Sequence, residues 1–386
     1  MLNLIVPLFL VRLLTPEAIG QYKIFFLYLV LVPWFFLTAG IPNGLSYWAG
    51  HDEKRLSAFR TSWTFLVLIA TVVLALGIVA YPGLRLWLDW NPFHLRLFIV
   101  SAFVQCLSTF FEEAAIAQGM IWRGALFTSG FDLARNMGML GAALYFKNIE
   151  AVFWANFVVV GSKVALGWAI GYKEGTQRLE FSPEMRQAVV KYALPVSFSA
   201  ALGIITTYND QLILSSMIPA ADFAMYSLGC LTVPPLLIIE TAINRVLIPR
   251  MSRAFATNKP AEARLLLREA TSELTWLFLP STVGLVLFAR PIVLLLFTAK
   301  FIGATIFLRI SAFKYLQLAL PFDPVARARG NGKWILRQLI VFSVVSIGLV
   351  IALTKAIGAA GAILGLLTAQ YLMRFSSMKN IKATEG

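Results

Sequence analysis

Charged residues are scarce in this chain of 386 residues. Asp, Glu, Lys and Arg make up 13% of it, against about 25% in an ordinary soluble domain. Hydrophobic residues account for 59%, and the mean hydropathy is +0.77. A soluble globule of this size could not bury so much apolar surface, whereas a bilayer removes the need to bury it. The sequence therefore predicts an all-α membrane protein that crosses the bilayer many times.

Residues that bind metals or act as nucleophiles are equally few. The sequence contains 2 Cys and 2 His, and Cys106 and Cys230 each lie inside an apolar run, where a buried free thiol is expected. It contains no phosphate-binding loop, no metal-ligand spacing and no nucleophile elbow. We therefore predict no metal site, no bound cofactor and no enzymatic activity.

Basic residues outnumber acidic ones, and the net charge is +14. They form short clusters between apolar runs, for example at 54–60 and 250–268, and do not cover one face of a polar domain. This distribution is typical of positive-inside topology and argues against a nucleic-acid partner. It predicts a multi-pass protein of the cytoplasmic membrane with both termini in the cytoplasm.

Apolar runs of the length needed to cross a bilayer, about 20 residues, divide the chain into twelve predicted spans. The first begins at Met1 and is too short to cross by itself, so we expect this helix to be truncated. No connection is long enough to form a soluble domain. The spans lie near 1–14, 24–47, 62–82, 97–118, 125–146, 150–172, 192–217, 224–248, 272–297, 302–322, 335–353 and 357–374.

The two halves of the chain resemble each other at three places that occur in the same order. These are LLTPEAIGQY (13–22) with SMIPAADFAMY (216–226), TAGIPNGL (38–45) with TAINRVLI (241–248), and the segments that begin SAFVQC (101–119) and SAFKYL (311–330). An even number of spans in each half keeps both copies in the same orientation. Two six-helix bundles that face each other across a central cavity follow from this arrangement.

The repeat predicts three regions in the chain. An N-terminal six-helix lobe covers 1–172, a cytoplasmic connection covers 173–191, and a C-terminal six-helix lobe covers 192–386. A twofold-repeated bundle without a soluble domain is an architecture of transporters.

Three segments resemble a known family: RLLTPEAIGQY (12–22), the stretch from FLPSTVG to RISAF (278–313), and AIGAAGAILGLLTAQY (356–371). They are similar to the polysaccharide biosynthesis proteins, or Wzx-type oligosaccharide flippases, of the multidrug/oligosaccharidyl-lipid/polysaccharide exporter (MOP) superfamily. The resemblance implies two lobes around a V-shaped lumen, alternating access and a polyprenyl-pyrophosphate-linked sugar as cargo. It also implies that membrane lipid and other membrane proteins of polysaccharide assembly are candidate partners. The short first helix departs from the family, and so does span 11, which lacks the carboxylate of the ion site in related lipid II flippases.

Five basic residues lie inside the predicted spans, where an ionisable group costs about 2.5–3.5 kcal/mol and usually faces protein or water. A cationic lumen would suit a pyrophosphate, because Arg presents a bidentate fork and Lys a point charge. We therefore take all five as candidates for cargo binding, although Arg135 could instead pair with Asp132 on its own helix. The five are Arg135, Lys163, Arg245, Arg309 and Lys314.

Acidic residues inside the spans are candidates for ion coupling and gating. Asp210 and its neighbour Asn209 in span 7, together with Glu240 in span 8, could bind the proton or sodium ion that drives transport, or could be structural partners of basic residues. Glu113 and Asp323 occupy matching places in the repeat, near the predicted cytoplasmic ends of spans 4 and 10, and are candidates for gating.

Two other functions fit a polytopic basic chain. A multidrug or small-molecule exporter of the same superfamily should have an acidic, aromatic lumen, whereas the five basic residues favour an anionic cargo. A polysaccharide polymerase or ligase needs a large external loop, and the external connections are short. The sequence therefore predicts a flippase for lipid-linked saccharides and leaves the identity of the sugar open.

Overall fold

A computed structural model of the chain describes residues 2–36, 40–49, 52–88, 90–171, 183–320 and 324–383. Within these ranges the chain is almost entirely α-helical, contains one short 3-10 turn at Ala299–Phe301 and has no strand. The all-α architecture predicted from composition is confirmed for the described residues.

The described residues of the first half form nine helices, of which several are short and continue a neighbour after a break. They are α1 (Leu2–Leu13), α2 (Pro16–Phe35), α3 (Gly40–Ala49), α4 (Asp52–Val79), α5 (Tyr81–Leu88), α6 (Pro92–Ser108), α7 (Phe110–Ala117), α8 (Ile121–Phe146) and α9 (Ile149–Gly171).

A long helix, α10, begins the second half, which ends in two further long helices. The helices are α10 (Pro183–Leu214), α11 (Ala220–Gly229), α12 (Pro234–Ala256), α13 (Pro260–Leu287), α14 (Ala289–Phe297), α15 (Ala304–Ser311), α16 (Phe313–Leu318), α17 (Pro324–Ala328), α18 (Gly332–Ile357) and α19 (Ala359–Ala383).

Proline and short polar side chains mark where helices begin. The Thr15 hydroxyl accepts the amide of Ala18 at the start of α2, and Asn91 accepts the amide of Phe93 at the start of α6. In both helices proline occupies the first turn. Backbone N–H groups there have no partner within the helix, so the N–H that proline lacks costs no hydrogen bond.

Seven helical segments in the described part of the chain are long and apolar enough to cross a membrane, and α11 with α12 makes an eighth if the bent pair is counted as one span. Each of the twelve predicted spans falls on one helix or on consecutive helices. The first, α1, has 12 residues and is as short as expected. Helix α8 is outside the set of seven and contains Asp132 and Arg135.

The chain divides into two compact units, Met1–Ala201 and Leu202–Gly386. The division falls inside α10, after the connection predicted at 173–191. Residues 173–182 of that connection lie outside the described ranges, and 183–191 belong to the first turns of α10.

Unit 1 is held together by buried aromatic rings. Phe25 of α2 stacks on Phe153 of α9 with ring centroids 4.0 Å apart, and the edge of Phe98 in α6 meets Phe25 at 5.6 Å. His94, which precedes the predicted span at 97–118, is buried in the first turn of α6, 3.6 Å from Glu150 of α9. Because these contacts join α2, α6 and α9, they fix the helices that surround the cavity of this unit.

Close helix packing in unit 2 depends on glycine. Helices α18 and α19 pack along each other, and a methyl group at Gly365 would lie 2.8 Å from the Cα of Val350. Small residues allow this approach of two backbones in membrane helices.

We expect Gly365→Ala to lower the thermal midpoint of the purified protein, because the added methyl group forces α18 and α19 apart. Gly348→Ala in α18 is the matched control, since a methyl group there meets no atom within 4 Å. The control should unfold at the same temperature as the parent or slightly higher, as alanine favours helix over glycine. Equal midpoints for Gly365→Ala and the parent would contradict the close packing.

Candidate functional site

Unit 1 contains a cavity of about 340 Å³ lined by residues of α2, α3, α6, α7, α8 and α9. We call it the unit 1 cavity. Its wall combines apolar and aromatic side chains with several charged and hydroxyl groups, a mixture typical of sites that bind polar small molecules. The lining residues are Val30, Pro33, Trp34, Pro42, Gln105, Ser108, Thr109, Glu112, Glu113, Thr128, Phe131, Asp132, Arg135, Val159, Val160 and Lys163.

Polar side chains at helical spacing form one stripe along α8, from Thr128 to Asn136, and this stripe faces the cavity. Thr128, Asp132 and Arg135 all line it, and Arg135 also lies 3.4 Å from the Asp132 carboxylate. The intrahelical pair and the cavity-facing position, which the sequence left as alternatives, thus occur together. Asn136, on the same stripe, is buried and donates its amide to the backbone oxygen of Asp132 at 2.7 Å.

Lys163 of α9, the helix that packs against α8, lines the same cavity. It interacts electrostatically with Asp132, Glu112 and Arg135, but no carboxylate of the described residues lies within the 4.0 Å of an ion pair with its ammonium group. The cavity therefore presents a cation that a ligand can contact.

Two adjacent carboxylates of α7, Glu112 and Glu113, complete the charged lining. Glu113, expected at a cytoplasmic gate, shares the cavity of Arg135 and Lys163, and Glu112 was not singled out from the sequence. Among the residues that line the unit 1 cavity, two are basic and three are acidic. The wall of the unit 1 cavity therefore carries charges of both signs, whereas the basic residues of the spans predicted a cationic wall.

Unit 2 encloses a smaller cavity of about 180 Å³, the unit 2 cavity. Its wall comes from α10, the α11–α12 junction, α15, α16 and α19. The lining residues are Thr207, Tyr208, Asp210, Gln211, Cys230, Thr232, Leu237, Ser311, Lys314, Tyr315, Gln317, Leu318, Ile363, Leu366, Leu367 and Gln370.

Asp210 is the acid of this cavity and is 3% exposed. Its Oδ2 accepts a hydrogen bond of 2.5 Å from the Tyr226 hydroxyl of α11. Its Oδ1 is buried and has no hydrogen-bond partner among the described residues. A buried acceptor left open in this way is costly unless a proton or a cation occupies it.

Two amides near Asp210 also present open oxygens. Asn209 donates to the Ser346 hydroxyl of α18 at 2.7 Å, and Gln317 donates to Gln370 of α19 at 2.5 Å. In the described part of the chain, the Oδ1 of Asn209 and the Oε1 of Gln317 accept nothing. The pairing of Asp210 with Tyr226, and the presence of Gln317 and Gln370 in the same cavity, could not be predicted from sequence patterns, because these are contacts between side chains of different helices.

The other candidates from the sequence differ in where they lie. Lys314 lines the unit 2 cavity, whereas Arg245 and Arg309 are exposed and line neither cavity. Glu240 accepts a hydrogen bond of 2.6 Å from Asn244 one turn along α12. Asp323 lies outside the described residues. No three His, Cys, Asp or Glu side chains of the described ranges form a group that could hold a metal ion.

Comparison with known families gives one match over most of the chain. The model of a family described as "Polysaccharide biosynthesis protein" matches residues 9–305. A comparison with curated protein sequences finds no match.

Solved structures with the same fold are transporters. An inward-facing multidrug resistance MATE family transporter of the MOP superfamily aligns with a TM-score of 0.75 at 14% identity, covering 99% of this chain and 94% of that one. The lipid II flippase MurJ, in an inward closed conformation, aligns with a TM-score of 0.69 at 15% identity, covering 99% and 86%. A MOP superfamily transporter from Pyrococcus furiosus aligns at 0.61 and 13% identity, covering 100% and 92%. These likenesses confirm the predicted fold class.

Proposed function

The chain belongs to the family of polysaccharide biosynthesis proteins, and from this premise we propose that it is a flippase. Its cargo would be a polyprenyl-pyrophosphate-linked saccharide, moved across the cytoplasmic membrane by alternating access. The family membership agrees with the resemblance in the sequence. Lipid II, the cargo in the printed name of one fold relative, supports a lipid-linked substrate by analogy of fold.

The main support is the unit 1 cavity, which both Lys163 and Arg135 line within a bundle of membrane-protein helices. An ammonium without an ion pair in such surroundings is costly, and an anionic ligand offsets that cost. A pyrophosphate fits both groups, since its oxygens accept the planar fork of a guanidinium and the point charge of an ammonium.

The acidic side of the same cavity suits the sugar. Glu112 and Glu113 have no hydrogen-bond partner among the described residues, and ionised carboxylates accept hydrogen bonds from hydroxyl groups. Trp34 and Phe131 add aromatic surface to the wall. A headgroup that combines phosphate oxygens with sugar hydroxyls would find both donors and acceptors here.

A multidrug exporter is the second candidate function. The three carboxylates of the unit 1 cavity favour it, because an organic cation would pair with them, and a MATE family transporter shares the fold. The two functions predict opposite effects for the basic residues: removal of Lys163 should weaken the transport of an anionic headgroup and strengthen that of a cation.

We further propose that transport is coupled to an ion at Asp210 and that the chain transfers no sugar itself. The open Oδ1 of Asp210, buried beside the unit 2 cavity, supports the first statement. The absence from the sequence of any nucleophile or metal motif supports the second.

Lys163→Ala and Arg135→Ala should abolish complementation of a strain that lacks its lipid-linked saccharide flippase, because the phosphate groups lose their cationic partners. Arg135→Lys should restore part of the activity, since a point charge replaces the fork. Arg123→Ala is the matched control: Arg123 is exposed on α8 and does not line the cavity. Membrane abundance of each variant has to be measured in parallel, and full complementation by both alanine variants would refute the assignment.

Asp210→Asn should keep cargo binding and lose the dependence of transport on an ion gradient, since the amide cannot take up a proton or balance a cation. Vesicles that contain the purified protein and a fluorescent lipid-linked saccharide measure this dependence. Asp222→Asn, at an exposed acid of α11, should behave as the parent protein. Gradient-driven transport by Asp210→Asn at the parental rate would remove Asp210 from the coupling step.

The loop charges predict that residues 250–268 and the C-terminal tail are cytoplasmic. Cysteine introduced as Ser252→Cys or Thr384→Cys should resist a membrane-impermeant thiol reagent in intact cells and react after permeabilisation. A control chain with both Cys106 and Cys230 replaced by Ser excludes labelling of the native thiols. Labelling from outside at either position would invert the proposed topology.

A further inference from the structure

Helices α11 and α12 form one bent segment with a break at residues 230–233. Their axes differ by 49°, and the sequence across the break reads CLTVPP (230–235). In a continuous helix the carbonyls of Cys230 and Leu231 would accept the amides of residues 234 and 235. Both of those residues are proline, which has no N–H. The two prolines thus leave two carbonyl oxygens without helical partners inside an apolar bundle, where no lipid can satisfy them.

Lys314 of α16 supplies those partners. Its Nζ donates to the carbonyl oxygens of Cys230 at 3.0 Å and Leu231 at 3.1 Å, and reaches the Thr232 hydroxyl at 3.5 Å. Three N–H donors are all that an ammonium has. The group is therefore surrounded by three oxygens of the break, in the way that carbonyls and hydroxyls surround a dehydrated alkali ion.

Neighbouring side chains complete the junction from the same face. Ser311 donates to the carbonyl of Gly229 at 2.8 Å, and the Tyr315 hydroxyl accepts the Val233 amide at 2.6 Å. Ser311, Lys314 and Tyr315 follow the i, i+3, i+4 spacing that places residues on one side of a helix. The Tyr315 hydroxyl also donates to the carbonyl of Leu231 at 3.3 Å, and the carbonyl of Val233 accepts the amide of Leu236. Lys314 provides the only positive charge of the break among the described residues.

The Lys314 ammonium and the Asp210 carboxylate face the same unit 2 cavity without forming an ion pair. They interact electrostatically, yet in the described part of the chain they are not within ion-pair distance. The titratable groups around them are Tyr208 on α10, Tyr226 on α11, Cys230 in the break and Tyr315 on α16, while α18 and α19 contribute the neutral Ser346 and Gln370.

We propose that Lys314 is a tethered cation, whose ammonium group occupies the carbonyl site of the α11–α12 break and excludes free monovalent ions from the unit 2 cavity. Unwound carbonyls at the C-terminal end of a half-helix are a usual binding place for a transported or coupling cation, and here the chain fills that place itself. If Asp210 is the coupling acid, a consequence that rests on the proposed function follows: the ion it exchanges is a proton, because a metal ion beside the ammonium would be repelled.

Thermal unfolding of the purified full chain in detergent tests the occupancy without any transport. At constant ionic strength, replacement of choline chloride by the chloride of lithium, sodium, potassium or ammonium should leave the parental midpoint unchanged. Lys314→Ala should unfold at a lower temperature in choline and regain part of the loss as sodium or ammonium rises, because an ion that binds only the folded state stabilises it. Lys314→Met, whose side chain fills the space, should be destabilised without regaining stability.

Lys163→Ala is the matched control, since it removes a lysine from the unit 1 cavity and should gain no response to these ions. A folded Lys314→Ala that ignores every ion, or a parent protein that responds to sodium as strongly as Lys314→Ala does, would overturn the proposal. If Lys314→Ala is not recovered in a folded state, the binding of radioactive sodium to Lys314→Gln is measured instead of the thermal midpoint. Sodium binding by Lys314→Gln but not by the parent supports the proposal. No sodium binding by Lys314→Gln contradicts it.

Transport separates this inference from the function on which its consequence rests. In proteoliposomes, a pH gradient should drive the parent and a sodium gradient should not. Sodium-driven transport by the parent would overturn the tethered cation. A failure to move lipid-linked saccharide under either gradient, together with sodium rescue of Lys314→Ala, would instead refute the flippase assignment and leave Lys314 as the tethered cation.

Discussion

Every backbone N–H and C=O inside a bilayer has to find its partner within the protein, and in this chain that constraint is hardest to meet where proline interrupts a helix. At the α11–α12 break, three side chains from α15 and α16 supply the missing hydrogen-bond partners. Ser311, Lys314 and Tyr315 each replace a bond that the helix cannot make. The positions of α15 and α16 against α11, and hence the shape of the unit 2 cavity, depend on these contacts.

The two halves share a sequence repeat but place charge differently. In unit 1 the charged groups come from α7, α8 and α9 and face a cavity of about 340 Å³, with one ion pair and one unpaired ammonium. In unit 2 an acid of α10 and a lysine of α16 face a cavity about half as large. Position 104, which matches Lys314 in the repeat, is valine, so the tethered cation has no counterpart in unit 1. A repeat with unequal charges allows one half to bind cargo and the other to sense an ion.

Hydropathy was enough to predict the spans and the short first helix, and helical spacing places Thr128, Asp132 and Arg135 on one stripe, because both depend on residues close in sequence. Five residues along a helix place Arg309 and Lys314 about 140° apart, but periodicity does not show which neighbour each side chain meets. The two prolines at 234 and 235 are visible in the sequence as a break. The lysine that completes the break is about 80 residues away, and such a partner is determined by tertiary packing.

The distance between Lys314 and Asp210 has a physical reason. A direct ion pair would draw the ammonium away from the break. The carbonyl of Cys230 would then lose its partner and that of Leu231 would keep only the Tyr315 hydroxyl at 3.3 Å, which is costly in an apolar interior. With the ammonium held at the break, the carboxylate keeps one oxygen on Tyr226 and the other open. The lysine therefore contributes positive potential to the cavity without neutralising the acid by contact. An acid that is to take up and release an ion in every cycle needs this arrangement, since a closed salt bridge would have to break each time.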